Sequence, residues 1–166
     1  MTDSKTLYEE DTVAWAENQA AALRDIARGG SNQQLDWENL AEEIEDLAKS
    51  ERRSLRSHIR NVIEHLIKLE YSPADRPHRR WRQSIRNARV EAEDRLAESP
   101  SLKPQLQQII TEETERGARL AIAALNERNE LPPSLQRSLK AKSYLELFSY
   151  TSEQILGDWF PLEPKA

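Results

Sequence analysis

The stretch from Asp36 to Tyr71, DWENLAEEIEDLAKSERRSLRSHIRNVIEHLIKLEY, constrains this chain more than any other. It holds no Gly and no Pro, and its apolar residues recur at three- and four-residue steps, the spacing of one helical face. A helix of roughly 35 residues is about 50 Å long at ~1.5 Å per residue, several times the usual length. Whatever the fold, the other elements must be laid along it. Asp36 is placed to cap the first amides, Leu35 and Leu40 have the spacing of a hydrophobic staple, and Glu38 suits the positive end of the helix dipole. Ser72-Pro73 stops the run, because a residue before proline is pushed out of the helical region. Lys49-Ser50 is the point at which so long a helix would break.

The apolar positions shift register along the run. Trp37, Leu40, Ile44 and Leu47 are predicted to face the core in the first half, and Leu55, Ile59, Val62, Leu66 and Leu69 in the second. Strict seven-residue continuation of the first pattern meets Glu51, Ser54, His58, Asn61 and His65 instead. A straight helix drifts by ~20° per heptad, so the core stripe rotates away and leaves that seam as a polar border.

With 166 residues the chain is expected to form one helical domain over 1–166, long enough to bury a real core. Residues 1–6 are expected to be disordered. A first helix is predicted from about Tyr8 or Asp11 to Ala27 or Arg28, with Val13, Ala16, Ala20, Leu23 and Ala27 inward and Trp15 and Ile26 on its flank. Gly29-Gly30 ends it. SPADRP turns the chain into a third helix with Pro77 in the first turn. Trp81, Ile85, Ala88, Ala92 and Leu96 give that helix a thin core stripe, and Arg76, Arg79, Arg80, Arg82, Arg86 and Arg89 dominate its outer surface. In SPSLKP, Ser101 is read as the N-cap of a fourth helix reaching about Glu127, with Pro104 inside its first turn. That helix is predicted to bury Leu102, Leu106, Ile109, Ile110, Leu120, Ala121, Ala124 and Leu125. Gly117 costs ~1 kcal/mol relative to Ala in a helix interior, so it signals close packing against a neighbour, with a kink as the second reading.

Residues 131–166 form a C-terminal extension packed on the bundle. SLQRSLKAK is a short helix, and TSEQ from Thr151 to Gln154 is a capping box with Tyr150 and Ile155 as its staple. Leaving Trp159 and Phe160 in water would forgo ~1.5–3 kcal/mol each, so they are expected to dock. The fold class is therefore all-α: an antiparallel bundle of four main helices with short C-terminal helices alongside.

Charge narrows the function. The net charge of −5 hides a split: residues 49–89 carry twelve Lys and Arg against four Asp and Glu, and the remainder twelve against twenty-five. In a tight hairpin centred near Pro73, residue 82 lies beside about 64 and 89 beside about 57. The candidate basic patch is then Arg52, Arg56, Arg60, Arg79, Arg82, Arg86 and Arg89, with Trp81 and Tyr71 as flat side chains for stacking. Its bland counterpart is an arginine-rich interface to acidic parts of this or another subunit. The acidic block Glu38, Glu42, Glu43, Glu45 and Asp46 reads as a solvated face.

Catalytic motifs are lacking. His58 and His65 lie seven apart on one face with Glu51 in line, but seven residues rise ~10.5 Å, too far for a shared metal. No Glu-x-x-His pattern includes either one, and there is no phosphate loop or nucleophile elbow. No cofactor or metal is expected. The absence of cysteine excludes disulfide and thiolate chemistry, and no apolar run reaches the ~18–20 residues of a membrane span. MTDSKTLYEED has no signal-peptide core, which points to the cytoplasm.

The segments LYEEDTVAWAENQAAALR, LDWENLAEEIEDLAKSERRSLRSHI, EHLIKL, RRWRQSIRNAR, SPSLKP and YTSEQILGDWFP, in that order, resemble the bacterial family catalogued as domain of unknown function number twenty-nine. The resemblance spans nearly the whole chain and is weakest over LPPSLQRSLKAKSYLELFS. It implies a helical architecture and carries over no catalytic residue. The leading expectation is a non-enzymatic helical interaction module that binds a protein or itself through the Arg-rich and aromatic surfaces. The alternatives are a nucleic-acid or phosphoanion binder at the arginine patch, and an enzyme or metal site around Glu51, His58 and His65.

Overall fold

The computed structural model describes residues 4–30 and 36–162, and every regular element among them is helical. In chain order these are α1 (Ser4–Glu10), α2 (Thr12–Arg28), α3 (Trp37–Tyr71), α4 (Asp75–Glu98), a 3-10 turn (Pro100–Gln105), α5 (Leu106–Glu127), α6 (Pro133–Leu139), α7 (Tyr144–Leu147) and α8 (Ser152–Leu156). The all-α fold is the one predicted, with α2 to α5 as its main helices and short helices at the C-terminal end. α3 runs its 35 residues without a break at Lys49-Ser50. Asp36 accepts from the Asn39 N–H at 3.3 Å, as a cap should, while its staple partner Leu35 lies outside the described residues.

Two helix starts differ from expectation. The first predicted helix is two, because Asp11 is extended (φ −157°) and its carboxylate accepts from the Ala14 N–H at 2.8 Å, capping α2. α1 reaches back to Ser4, into the stretch read as disordered. Ser101 does not cap α5. It sits inside the 3-10 turn and donates its N–H (2.6 Å) and hydroxyl (3.0 Å) to the same Asp11 carboxylate. Asp11 therefore serves two segments at once, a long-range role that local spacing cannot reveal. Gly30 takes φ 74°, the left-handed conformation that the glycine pair after α2 predicted.

Contacts divide the chain into two compact units: Met1–Leu55 with Asp94–Pro104, and Arg56–Glu93 with Gln105–Ala166. In the first, α2 runs antiparallel to the start of α3, tied by Arg24–Glu45 at 2.6 Å and Arg52–Glu17 at 2.5 Å. Val13, Ala16 and Ala20 are buried on α2, and Ala41, Ala48 and Leu55 form the buried line of α3. That line corrects the predicted one. Leu40 and Leu47 are 41% and 49% exposed, and Trp37 and Ile44 only half-buried. The reason is length. Arg95 of α4 reaches Glu51 at 3.1 Å, and α4 ends three residues later, so α3 before about residue 48 runs on past it.

The second unit holds the larger side chains. Ile59, Val62, Leu66 and Leu69 are buried as predicted, joined by Ile63 and Ile67. α5 runs parallel to the second half of α3, and Gly117 is a point of close approach. A Cβ there would meet Ile63 Cγ2 at 3.0 Å and the Arg60 carbonyl at 3.2 Å, the close packing its presence signalled. Ile109, Ile110, Ala121 and Leu125 are buried on α5, while Leu120 (48% exposed) points to water and Thr114, Gly117 and Ala118 take inner places. α7 and α8 pack on α5. The Thr151–Gln154 capping box forms as predicted, with Tyr150 and Ile155 buried, and Ser143–Glu146 forms a second.

Candidate functional site

The α3 arginines of the predicted patch have partners within the chain. Arg52 binds Glu17; Arg56 reaches Glu112 at 2.6 Å and Glu113 at 2.8 Å; Arg60 reaches Glu113 at 2.6 Å. Glu113 is fully buried and also takes Arg116 at 2.8 Å, so three guanidiniums converge on one carboxylate. Both of its oxygens are used, which is what lets a charged group sit in the interior.

On α4 the arginines do something else. Arg89 is buried, not on the outer surface, and donates to the carbonyls of Ile155 (2.9 Å), Gln154 (2.8 Å) and Trp159 (2.7 Å). Burial lowers its pKa; Asp158 and Glu93 oppose that and Arg86 adds to it. The guanidiniums of Arg82, Arg86 and Arg89 all lie 4.8–5.4 Å from the centre of the Phe160 ring. Phe160 and Trp159 thus dock as expected, held by cations. Trp81 is 7% exposed, with Arg128 over its ring at 5.5 Å, so little of it is left for a stacked base. Tyr71 packs edge-on against Phe148. Arg79, Arg80 and Arg86 remain exposed, and no ion pair to Arg79, Arg82 or Arg86 forms among the described residues.

The histidine line is dispersed in its roles. Glu51 is held by Arg95. His65 Nδ1 lies 2.9 Å from the Asn61 carbonyl, which can only accept, so Nδ1 carries the proton. Burial holds the His65 pKa below its ordinary value, against the Asn61 hydrogen bond and the Glu64 charge, with Lys68 adding to the lowering. His58 lines an open cleft of about 360 Å³ with Ser57, Asn61, Ser84, Asn87 and Glu91, the polar border foreseen beside the core. Among the described residues no three His, Asp or Glu side chains gather in a way that could hold a metal ion.

The other surface feature lies in the first unit. Trp37, Leu40, Ile44 and Leu47 form an apolar strip at three- and four-residue spacing on α3, beside the exposed carboxylates Asp36 and Glu43. Of the acidic block, Glu45 is paired: its hydrogen bond from Arg24, helped by Lys49, lowers its pKa. Glu38, Glu42, Glu43 and Asp46 face water, as read from the sequence.

The chain matches the profile of the domain of unknown function DUF29 over residues 7–160. It belongs to the DUF29 family. A search of curated proteins finds no match. Among solved structures, this DUF29 chain is similar to an alpha-helical protein of unknown function from Rhodospirillum rubrum ATCC 11170, determined at 1.45 Å resolution. The two share 26% identity and a TM-score of 0.75 over 95% of this chain and 98% of that one. No helix of the DUF29 chain is long and apolar enough among its described residues to cross a membrane.

Sequence reading missed Glu113, the best-connected ionic residue of this DUF29 chain. A signal was present, because Leu106, Ile110, Glu113, Gly117 and Ala121 follow one helical line and Glu113 is its one charged member. It also missed that Leu40 and Leu47 face water, since nothing local says where α4 stops relative to α3.

Proposed function

We propose that this chain is a cytoplasmic, non-enzymatic helical interaction module that binds a protein, or a second copy, through the first half of α3. One observation carries this: Leu40 and Leu47, seven residues apart, stand 41% and 49% exposed beside the half-buried Trp37 and Ile44. Single exposed leucines are ordinary, whereas a contiguous apolar stripe rimmed by polar groups marks a contact surface. Its three- and four-residue steps match the seam by which helices pair.

Capture from a native lysate tests it. Immobilised wild-type chain is compared with Leu40→Ser/Leu47→Ser and with Arg79→Glu/Arg82→Glu/Arg86→Glu. The leucine variant is expected to lose the captured polypeptide and the arginine variant to keep it; retention by the leucine variant rejects the reading.

A second reading, a nucleic-acid or phosphoanion binder, keeps support from Arg79, Arg82 and Arg86, which make no ion pair among the described residues. It requires a polyanion affinity that falls steeply with added salt and disappears in the arginine variant.

A further inference from the structure

We propose that the strip of Trp37, Leu40, Ile44 and Leu47 docks one α-helix of a partner protein, with Leu or Ile at three- and four-residue spacing between flanking Lys or Arg. This rests on the interaction reading and adds the partner's shape and charge. Shape follows from spacing: side chains at these steps leave holes that accept the knobs of one facing helix. Charge follows from the rim. On the solvent side the strip is bordered by Asp36 and Glu43, both exposed, and Glu43 has no cationic partner among the described residues. The other border, Ala41 and Ala48, is already buried and carries no charge.

The surroundings have the same sign. The unit that carries the strip has fifteen Asp and Glu against eight Lys and Arg, a net −7. Two copies meeting strip to strip would bring together two units of net −7, and in a parallel pair Glu43 and Asp36 would also face their own images, the arrangement by which helix pairs exclude a partner. An anionic lipid surface is repelled for the same reason. A helix with cationic flanks gains from both terms.

The probes are two synthetic helices three heptads long: Leu on one face with Ala and Lys elsewhere, and a copy with Glu for Lys. Binding to the intact chain is followed by fluorescence anisotropy. The Lys peptide should bind the wild type and lose about tenfold or more on Leu40→Ser/Leu47→Ser. Glu43→Lys, a surface change that leaves the leucines in place, should weaken the Lys peptide and admit the Glu peptide. Circular dichroism confirms that both variants keep the wild-type helix content.

If the Glu peptide binds the wild type as tightly as the Lys peptide, the proposal falls and the interaction reading stands. If the leucine pair leaves Lys-peptide affinity unchanged, both fall. A wild-type dimer by light scattering that dissociates in the leucine variant makes the occupant a second copy and overturns the proposal alone. No binding of the Lys peptide also overturns it, leaving the capture experiment to judge the broader reading.

Discussion

At the scale of single residues, the two most informative side chains are titratable groups placed where water is scarce. Glu113 is fully buried and held by Arg56, Arg60 and Arg116. Removing one partner of a buried ion pair costs ~3–5 kcal/mol when the other charge stays buried. Here Arg56 and Arg60 are 26% and 33% exposed and can turn to water, so Glu113→Ala should cost less, about 2 kcal/mol, read by urea denaturation. His65 is the second case. The fold accommodates its neutral form, whereas the unfolded chain protonates it near the ordinary ~6.5. Below that pH the unfolded state binds more protons, so stability falls as pH falls; above it this residue has no effect. Comparing the stability of His65→Gln and wild type between about pH 7 and 5 checks this, and the variant should show the flatter slope. Carboxylates whose pKa is lowered, such as Glu45 and Glu112, lose their contribution only at more acid pH. Neither role was legible in the sequence. Glu113 stands between Glu112 and Glu115 and reads as solvated until the whole apolar line of α5 is traced, and His65 owes its environment to burial, which spacing does not measure.

At the scale of elements, the C-terminal extension shows what the sequence did reveal. The capping box at Thr151–Gln154 and its staple are local devices, written in adjacent residues, and they form as read. The way the extension is fastened is not local. Arg89 crosses from α4 to three carbonyls between Gln154 and Trp159, and the Tyr150 hydroxyl donates to the buried Glu70 carboxylate at 3.2 Å. Burial, with the Glu70 charge, raises the Tyr150 pKa well above its ordinary value, so the hydroxyl stays a donor. An arginine on a helix with an arginine-rich outer face looks like one more surface cation. Only the carbonyls supplied 65–70 positions later make Arg89 a fastener. Arg89→Ala leaves those carbonyls without their donor and the Phe160 ring with two cations in place of three. It should cost about 2 kcal/mol and expose the segment after α6 to trypsin while α3 resists, seen by limited proteolysis with mass spectrometry.

At the scale of the molecule, α3 and α4 each run through both compact units. Of the three unit boundaries, two fall inside long helices, at Leu55/Arg56 in α3 and at Glu93/Asp94 in α4, and the third at Pro104/Gln105 in the 3-10 turn that joins α4 to α5. A domain boundary ordinarily lies in an exposed loop crossed by few contacts, so we propose that two units sharing continuous helices unfold together. The sequence supported the same expectation by having no Gly or Pro between Asp36 and Tyr71. It could not show that the two stretches of α3 bury side chains of different size, small alanines at Ala41 and Ala48 and large aliphatics from Leu55 onward. If the helices couple the units, calorimetry of the wild type shows one transition whose calorimetric and van't Hoff enthalpies agree. Ser54→Pro sits next to the boundary and breaks α3 at a cost of ~3 kcal/mol or more, since proline removes an N–H and clashes with the preceding turn. In that variant the transition should split, with the alanine-lined unit melting first because it buries the smaller side chains. Two transitions already present in the wild type would mean that α3 passes through two independently stable bodies, and the strip at residues 37–47 would then belong to the weaker one.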